Sequence, residues 1–339
     1  MEFIGRNSIR VLKNIVKDYQ NILVFHGKTI FKRYNTLFSE LLAGKNISYY
    51  DNFTNNPKKD EIDLAIQKFS DQKFDAIIAF GGGSVIDFAK AFRFYKQDNI
   101  PLIAIPTTAG TGSEATQFAV VYVDGVKTSL DEASILPNVA IIDSQFIENA
   151  PTYVKACCAM DAYCQAIESF WAKKATPESQ KYAIEAIELC RDYLVKAVKT
   201  NEQNANEKMA KAAYLAGKAI NISRTTAAHA LSYKITSKYG IPHGHAVALS
   251  IAGLFEQNIE VMLKNQQDVL LRAIGINKTD IRSYFHNLMT EIGLENNLTE
   301  LGITNLDEIV DSVNLQRLSN NPKDLSRDDL LDILRGFDD

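Results

Sequence analysis

Cysteine is scarce. The 339 residues hold four, Cys157, Cys158, Cys164 and Cys190, two of them adjacent and none in a C-x-x-C pair. That excludes a disulfide-stapled small domain and reads as reduced, buried thiols in a cytoplasmic protein. Charge of one sign is not in excess either. The 37 Lys and Arg face 41 Asp and Glu, a formal net charge of -4, so nothing electrostatic calls for nucleic acid or an acidic membrane as a partner. Long apolar runs are missing. Stretches such as residues 76–80 are far too short to span a bilayer. The opening MEFIGRNSIRVLKNIV mixes charge into its apolar residues and lacks a signal-peptide core. There is no internal repeat or low-complexity tract. What is present, 46% hydrophobic and 23% charged residues, is an ordinary globular balance. The length suits about two domains at ~150 residues each, large enough to bury a core without staples.

The first 150 residues alternate in kind. Residues 21–26 (NILVFH), 47–50, 74–80 (FDAIIAF), 101–105 (PLIAI) and 139–142 (VAII) read as strands. Residues 29–42, 61–69 and 85–92 have helical spacing. Strands apolar on both faces and separated by helices predict a parallel sheet covered on both sides. After Asp143 helical patterns dominate: 154–171, 177–200, 207–221, 227–239 and 246–257, with further helices to residue 339. The expected organisation is an α/β nucleotide-type domain over 1–150 and an all-helical domain over 151–339, with Pro151 at the junction.

Two loops stand out. Gly81-Gly82-Gly83-Ser84 follows a strong strand pattern and opens a helix. Glycines let backbone amides approach an anion closely, and the helix start adds free N–H groups and a positive dipole end. Ser84 and Asp87 have the spacing of a capping box. The segment is neither G-x-G-x-x-G nor a P-loop, but it suits a pyrophosphate. The second loop, residues 106–114 (PTTAGTGSE), places hydroxyls and glycines after the 101–105 strand. In a parallel sheet two such loops can face one crevice.

There are five histidines, His26, His229, His243, His245 and His286. His229 lies in a helical stretch and His243 follows the breakers Gly240 and Pro242. Asp161 and Gln165 share one face of an earlier helix. One carboxylate and two imidazoles suit Fe(II) or Zn(II) and leave room for a substrate oxygen. The residues alone leave open that these are surface histidines and an exposed acid.

The segments Gly81-Gly82-Gly83-Ser84-x-x-Asp87-x-Ala89-Lys90, Pro106 to Glu114, residues 136–143 (LPNVAIID), residues 160–168 (MDAYCQAIE), and Ala228-His229 with Pro242-His243-Gly244 occur in this order. Together they resemble the iron-containing (group III) alcohol dehydrogenase family. The likeness runs from the first strand to about residue 260 and is weaker beyond. It implies a Rossmann-like parallel sheet followed by an all-α domain, the architecture also used by dehydroquinate synthase. It implies NADP(H) or NAD(H) in the cleft, with its pyrophosphate on Gly81, Gly82, Gly83 and Ser84. Gly27, Asp87, Thr107, Thr108, Thr111, Ser113 and Lys127 complete the candidate cofactor contacts. It implies a divalent metal on Asp161, His229 and His243. Gln165 stands where the family has His, and its carbonyl oxygen is a harder, weaker ligand.

Gln165, the run Arg224 to Tyr233 and Pro242-His-Gly-His245 are most similar to one branch, the phosphonoacetaldehyde reductases. The implied reaction is metal-dependent, NAD(P)H-linked reduction of a small aldehyde to an alcohol. Catalysis would turn on Asp161 and His243, with His245 as a proton relay near its working pKa. A phosphonate tail would need cations, for which Arg224, Lys234 and Lys127 are candidates. After the first strand the chain has His26-Gly27-Lys28-Thr29, with Lys32-Arg33 close by and no acid for a ribose 2′-hydroxyl. This favours NADP(H). The alternatives are another short-chain alcohol or diol dehydrogenase of the family, or a dehydroquinate synthase-like lyase. A symmetric homodimer is the expected assembly on base rates.

Overall fold

The computed structural model describes residues 1–336. The end of the helical domain expected over 151–339 thus lies outside the described residues. The chain divides into two compact units. One comprises Met1–Thr108 and Gly112–Ala150; the other comprises Ala109–Thr111 and the chain from Pro151 on.

The first unit contains β1 (Glu2–Ile4), α1 (Leu12–Ile15), β2 (Asn21–His26), α2 (Lys28–Leu41), β3 (Asn46–Tyr50), α3 (Lys59–Lys68), β4 (Ala76–Gly81), α4 (Gly83–Lys96), β5 (Leu102–Pro106), β6 (Phe118–Val123), β7 (Val126–Asp131), β8 (Val139–Ile142) and α5 (Ser144–Ile147). Six strands form one parallel sheet in the order β1-β8-β5-β4-β2-β3. β4 is buried along its whole length, as a central parallel strand requires. Alternate residues feed two separate cores. Leu23, Phe25, Ile77 and Ala79 pack with α3 and α4. Ile22, Val24, Ile78 and Phe80 pack with Leu12, Phe38 and Phe146 on the other face. Each large apolar side chain so buried contributes roughly 1.5–3 kcal/mol, so polar substitutions on either face of β4 are equally damaging.

Two elements differ from the sequence expectation. β1 adds an edge strand beside β8, pairing Glu2 with Ala140 and Ile4 with Ile142. β6 and β7 form an antiparallel hairpin outside the main sheet. Its turn is Asp124-Gly125, with φ of 51° and 78°, the positive angles that a two-residue hairpin turn demands.

The second unit is helical: α6 (Thr152–Trp171), α7 (Pro177–Lys199), α8 (Gln203–Ser223), α9 (Ala227–Tyr239), α10 (His243–Ile259), α11 (Lys264–Ile274), α12 (Ile281–Glu291), α13 (Leu306–Asp311), α14 (Leu315–Leu318) and α15 (Arg327–Arg335). α6 is buried almost throughout, so a polar residue on it needs a partner. No helix among the described residues is long and apolar enough to cross a membrane. No disulfide joins the four cysteines; three are buried as expected, and Cys158 is only half-buried. Burial pushes the Cys157 thiol up to about 11, so it stays protonated and unreactive at neutral pH.

Candidate metal centre and dinucleotide site

In the first unit the sheet order reverses between β2 and β4, and a ligand crevice is expected outside the carboxyl ends of such a pair. Gly27 follows β2 and caps α2, and its amide donates to the Phe80 carbonyl at 3.1 Å. Gly81 closes β4 and Gly82 caps α4 with no side-chain cap. The first turn of this long helix therefore keeps amides free for an anion. A Cβ on Gly81 would lie 2.3 Å from Val85 Cγ2, so the tight turn excludes any side chain there. The expected Ser84–Asp87 capping box does not form. The helix begins two residues earlier, Ser84 Oγ accepts from the Asn56 amide at 3.4 Å, and Asp87 is drawn elsewhere.

Asp87 accepts from Ser113 Oγ with one oxygen and from the Val120 amide at 3.0 Å with the other. Lys90 is fully buried and donates to Ser113 Oγ at 3.0 Å, Thr116 Oγ1 at 3.1 Å and the Phe118 carbonyl at 2.7 Å. Burial pushes Lys90 down to about 8 and Glu114 up to about 7. Asp87 and Ser113 thus form a buried network that ties α4 to the loop before β6. Thr107 is buried and donates its amide to the Gly81 carbonyl at 3.0 Å. Thr108 Oγ1 would sit 3.5 Å from a Cβ on Gly82, so it borders the glycine turn. Lys127 lies in β7 opposite Tyr122, and its charge helps to offset the burial that raises the Asp87 pKa. Thr111 belongs to the short segment grouped with the second unit.

In the second unit α6 presents Asp161, Gln165 and Glu168 at i, i+4 and i+7, one polar stripe on a buried helix. α9 brings His229, and the start of α10 brings His243. Asp161, His229 and His243 offer ligand atoms within 4.8 Å of one another. Glycine makes this convergence possible: a Cβ on Gly244 would lie 1.9 Å from the Cys157 carbonyl and 2.8 Å from Asp161 Cβ. Backbone therefore meets backbone where α10 starts against α6.

Glu168, which carried no role in the sequence reading, organises the centre. One carboxylate oxygen accepts from Thr226 N, Thr226 Oγ1 at 2.7 Å and Ala228 N at 2.8 Å, so a neighbouring helix caps the start of α9. The other oxygen meets His229 Nδ1. Nδ1 therefore carries a proton, and Nε2, the nitrogen left for ligation, faces Asp161 Oδ1, 3.4 Å away. The His243 tautomer follows a similar logic. Ser232 Oγ donates its only proton to the His229 carbonyl at 2.8 Å, so it accepts from His243 Nδ1 at 3.2 Å and leaves Nε2 as the acceptor.

His229 Nε2 and Gln165 Oε1 are buried with no hydrogen-bond partner, while Gln165 Nε2 donates to Asp161 Oδ1 at 2.9 Å. Burial disfavours charge on Glu168 and Asp161, but the histidines and hydrogen bonds outweigh it and hold both carboxyls below their ordinary range. Burial would also lower His229, yet the two carboxylates raise it to about 9. A site with two ionised acids and two orphaned polar atoms fits a bound divalent cation, which would displace the His229 Nε2 proton.

His245 is buried. Its Nε2 donates to the Glu295 carbonyl at 2.6 Å and its Nδ1 accepts from the Tyr153 hydroxyl at 3.0 Å. Burial lowers its pKa. This suits an anchor joining α6, α10 and the Glu295 loop more than a freely exchanging acid. Lys234 meets Glu308 at 2.7 Å, a carboxylate it shares with Lys238. Arg224, at a φ of 66°, donates to the Asn221 carbonyl. Two further residues had no role assigned from the sequence, one of them the last of the Arg224–Tyr233 run. Tyr233 stacks on His243 with ring centres 6.1 Å apart and 19° between planes, and the Arg317 guanidinium lies 5.8 Å from the Tyr233 ring centre.

The fold and this donor set define a dinucleotide- and metal-using oxidoreductase. A family model described as iron-containing alcohol dehydrogenase matches residues 2–144, and its C-terminal counterpart matches residues 155–337. The chain belongs to the iron-containing alcohol dehydrogenase family, whose members use NAD(P) and a divalent metal. It is 34% identical over 266 residues to a probable alcohol dehydrogenase, EutG, of Escherichia coli, covering 72% of this chain and 67% of that one. It is 27% identical to an NADPH-dependent butanol dehydrogenase of Clostridium saccharobutylicum, covering 97% of this chain and 94% of that one. A sulfoacetaldehyde reductase of Bifidobacterium kashiwanohense, solved with NAD+, superposes with a TM-score of 0.91 at 28% identity, covering 100% of this chain and 96% of that one.

Proposed function

We propose that this enzyme reduces small aldehydes to alcohols with NADPH, and that its substrates include phosphonoacetaldehyde. The convergence of Asp161, His229 and His243, with His229 Nε2 and Gln165 Oε1 both orphaned, carries the reading. In this reading Asp161, His229 and His243 hold Fe(II) or Zn(II), and Gln165 Oε1 is the fourth, weaker ligand. When bound, the dinucleotide supplies the hydride and the metal polarises the carbonyl oxygen. The chain's own part is positional. Glu168 and Ser232 fix the two imidazole tautomers, and the α4 amides after Gly82 receive the pyrophosphate, with Gly27, Gly81, Gly83, Ser84, Thr107, Thr108 and Thr111 around it. Asp87 and Ser113 bond each other behind the start of α4, with the Lys127 charge acting on Asp87.

The sulfoacetaldehyde reductase likeness and the Gln165 motif support an anionic two-carbon aldehyde. Gly27 followed by Lys28, with no acid, supports NADPH over NADH. The test is the rate of NADPH and NADH oxidation with phosphonoacetaldehyde, sulfoacetaldehyde and propanal. We expect the highest kcat/KM with NADPH and phosphonoacetaldehyde. Faster turnover of propanal would point to an ordinary short-chain alcohol dehydrogenase of the same family.

A further inference from the structure

We propose that Arg317, together with the Tyr233 hydroxyl, is the receptor for an anionic tetrahedral group, a phosphonate or sulfonate, on the aldehyde. This deepens the reading above and rests on it. Tyr233 lies four residues after His229 on α9, so the two share a helix face. Its ring stacks on His243, and the Arg317 guanidinium lies over that ring. A continuous line of contacts thus runs from Asp161 through the histidines to a cation one ring beyond His243. For a short aldehyde with its oxygen at the metal ligands, such binding requires its tail to face the Tyr233 side of His243.

Arg317 is half-buried, and among the described residues no carboxylate pairs with it. Its neighbours are different. Lys234 and Lys238 share Glu308, Lys323 meets Asp329 at 3.2 Å, and Arg327 meets both Asp307 and Asp311. A guanidinium partly withdrawn from water without a counter-charge is costly unless an anion joins it. Its place is fixed without any ligand. Arg317 Nη1 donates to Thr225 Oγ1 at 2.7 Å. Asn320, on the same segment, donates to the Ser223 and Thr225 carbonyls at 2.9 and 3.1 Å. The guanidinium has five N–H donors in a planar fork. With Thr225 and the Tyr233 hydroxyl as its partners here, donors remain for tetrahedral oxygens. The phenol keeps its proton at neutral pH and can donate.

The competing role for Arg317 is purely structural, pinning the Thr225 loop. The experiment compares kcat/KM for phosphonoacetaldehyde with that for propanal, in the wild type and in Arg317→Gln, which keeps a donor for Thr225 but loses the charge. The expected result is a fall of about 30-fold in the phosphonoacetaldehyde-to-propanal ratio, as for the loss of a charge-assisted bond, mostly through KM. Arg317→Lys should recover part of it. Sulfoacetaldehyde in place of phosphonoacetaldehyde shows which anion is preferred. Methylphosphonate should inhibit wild-type propanal reduction competitively and lose that effect in Arg317→Gln. An unchanged ratio, or an equal loss for both aldehydes, overturns the proposal. So does a wild type that reduces propanal but neither phosphonoacetaldehyde nor sulfoacetaldehyde, which leaves the aldehyde-reductase reading standing. A wild type that reduces no aldehyde overturns that reading instead. If Arg317→Gln fails to fold by circular dichroism, Tyr233→Phe reads the same ratio with only a hydroxyl removed.

Discussion

Glu168 shows how much one side chain can settle. It caps α9, fixes the His229 tautomer and carries the charge that balances the imidazole. Glu168→Gln keeps the size but puts an amide donor where a carboxylate accepts. Either that donor meets the His229 Nδ1–H, or the proton moves to Nε2 and blocks ligation. We expect metal affinity to fall about 10- to 100-fold with the helical circular dichroism retained, measured by chelator competition. Unchanged affinity would show that Glu168 only caps α9. Asp161, His229 and His243 were legible in the sequence because their residue types define the chemistry. Glu168 was not assigned, although it completes the i, i+4, i+7 stripe with Asp161 and Gln165. Tyr233 entered only as the end of the Arg224–Tyr233 motif and Arg317 not at all, because their pairing depends on α9 and α14 meeting in space. Lys234 showed the reverse: a cation beside the motif that the fold pairs with Glu308.

Among the elements, strands apolar on both faces were read from sequence with boundary shifts of a residue or two. The 74–80 run became Ala76–Gly81 and the 139–142 run matched Val139–Ile142. β1 was missed because three residues at a sheet edge carry too little pattern. The β6–β7 hairpin was missed although Asp124-Gly125 is a strong turn signal. The contact of α10 with α6 is the most demanding in the site. Gly244→Ala should force the α10 start away from Cys157 and Asp161, at a cost of about 1–3 kcal/mol. The expected outcome is a lower thermal midpoint together with weaker metal binding; an unshifted midpoint would show that α10 can move without harm.

The Lys90–Asp87–Ser113 network links α4 to β6, and Glu114 lies beside it. Glu114 titrates near 7 in the folded chain, above its ordinary 4.5. Its favourable contribution is complete below 4.5 and is lost as pH rises through 7. Lys90, lowered to about 8, changes stability only above that value. Between pH 5 and 7.5 the wild-type thermal midpoint should therefore fall more steeply than that of Glu114→Gln. Parallel slopes would contradict the buried-carboxyl account.

For the whole molecule, the two-part plan was readable because strand–helix alternation gives way to long helical periods near Asp143. What the sequence could not supply was the identity of the groups around each ligand, since these are assembled from residues far apart in the chain. The central claim is that Asp161, His229 and His243 hold a divalent cation on which aldehyde reduction depends. The most direct measurement is metal content per chain, by elemental analysis, with aldehyde-dependent NADPH oxidation on the same samples of wild type and Asp161→Ala. The account predicts about one iron or zinc per wild-type chain, and loss of metal and activity together in the variant. Full activity in a variant that holds no metal would contradict it.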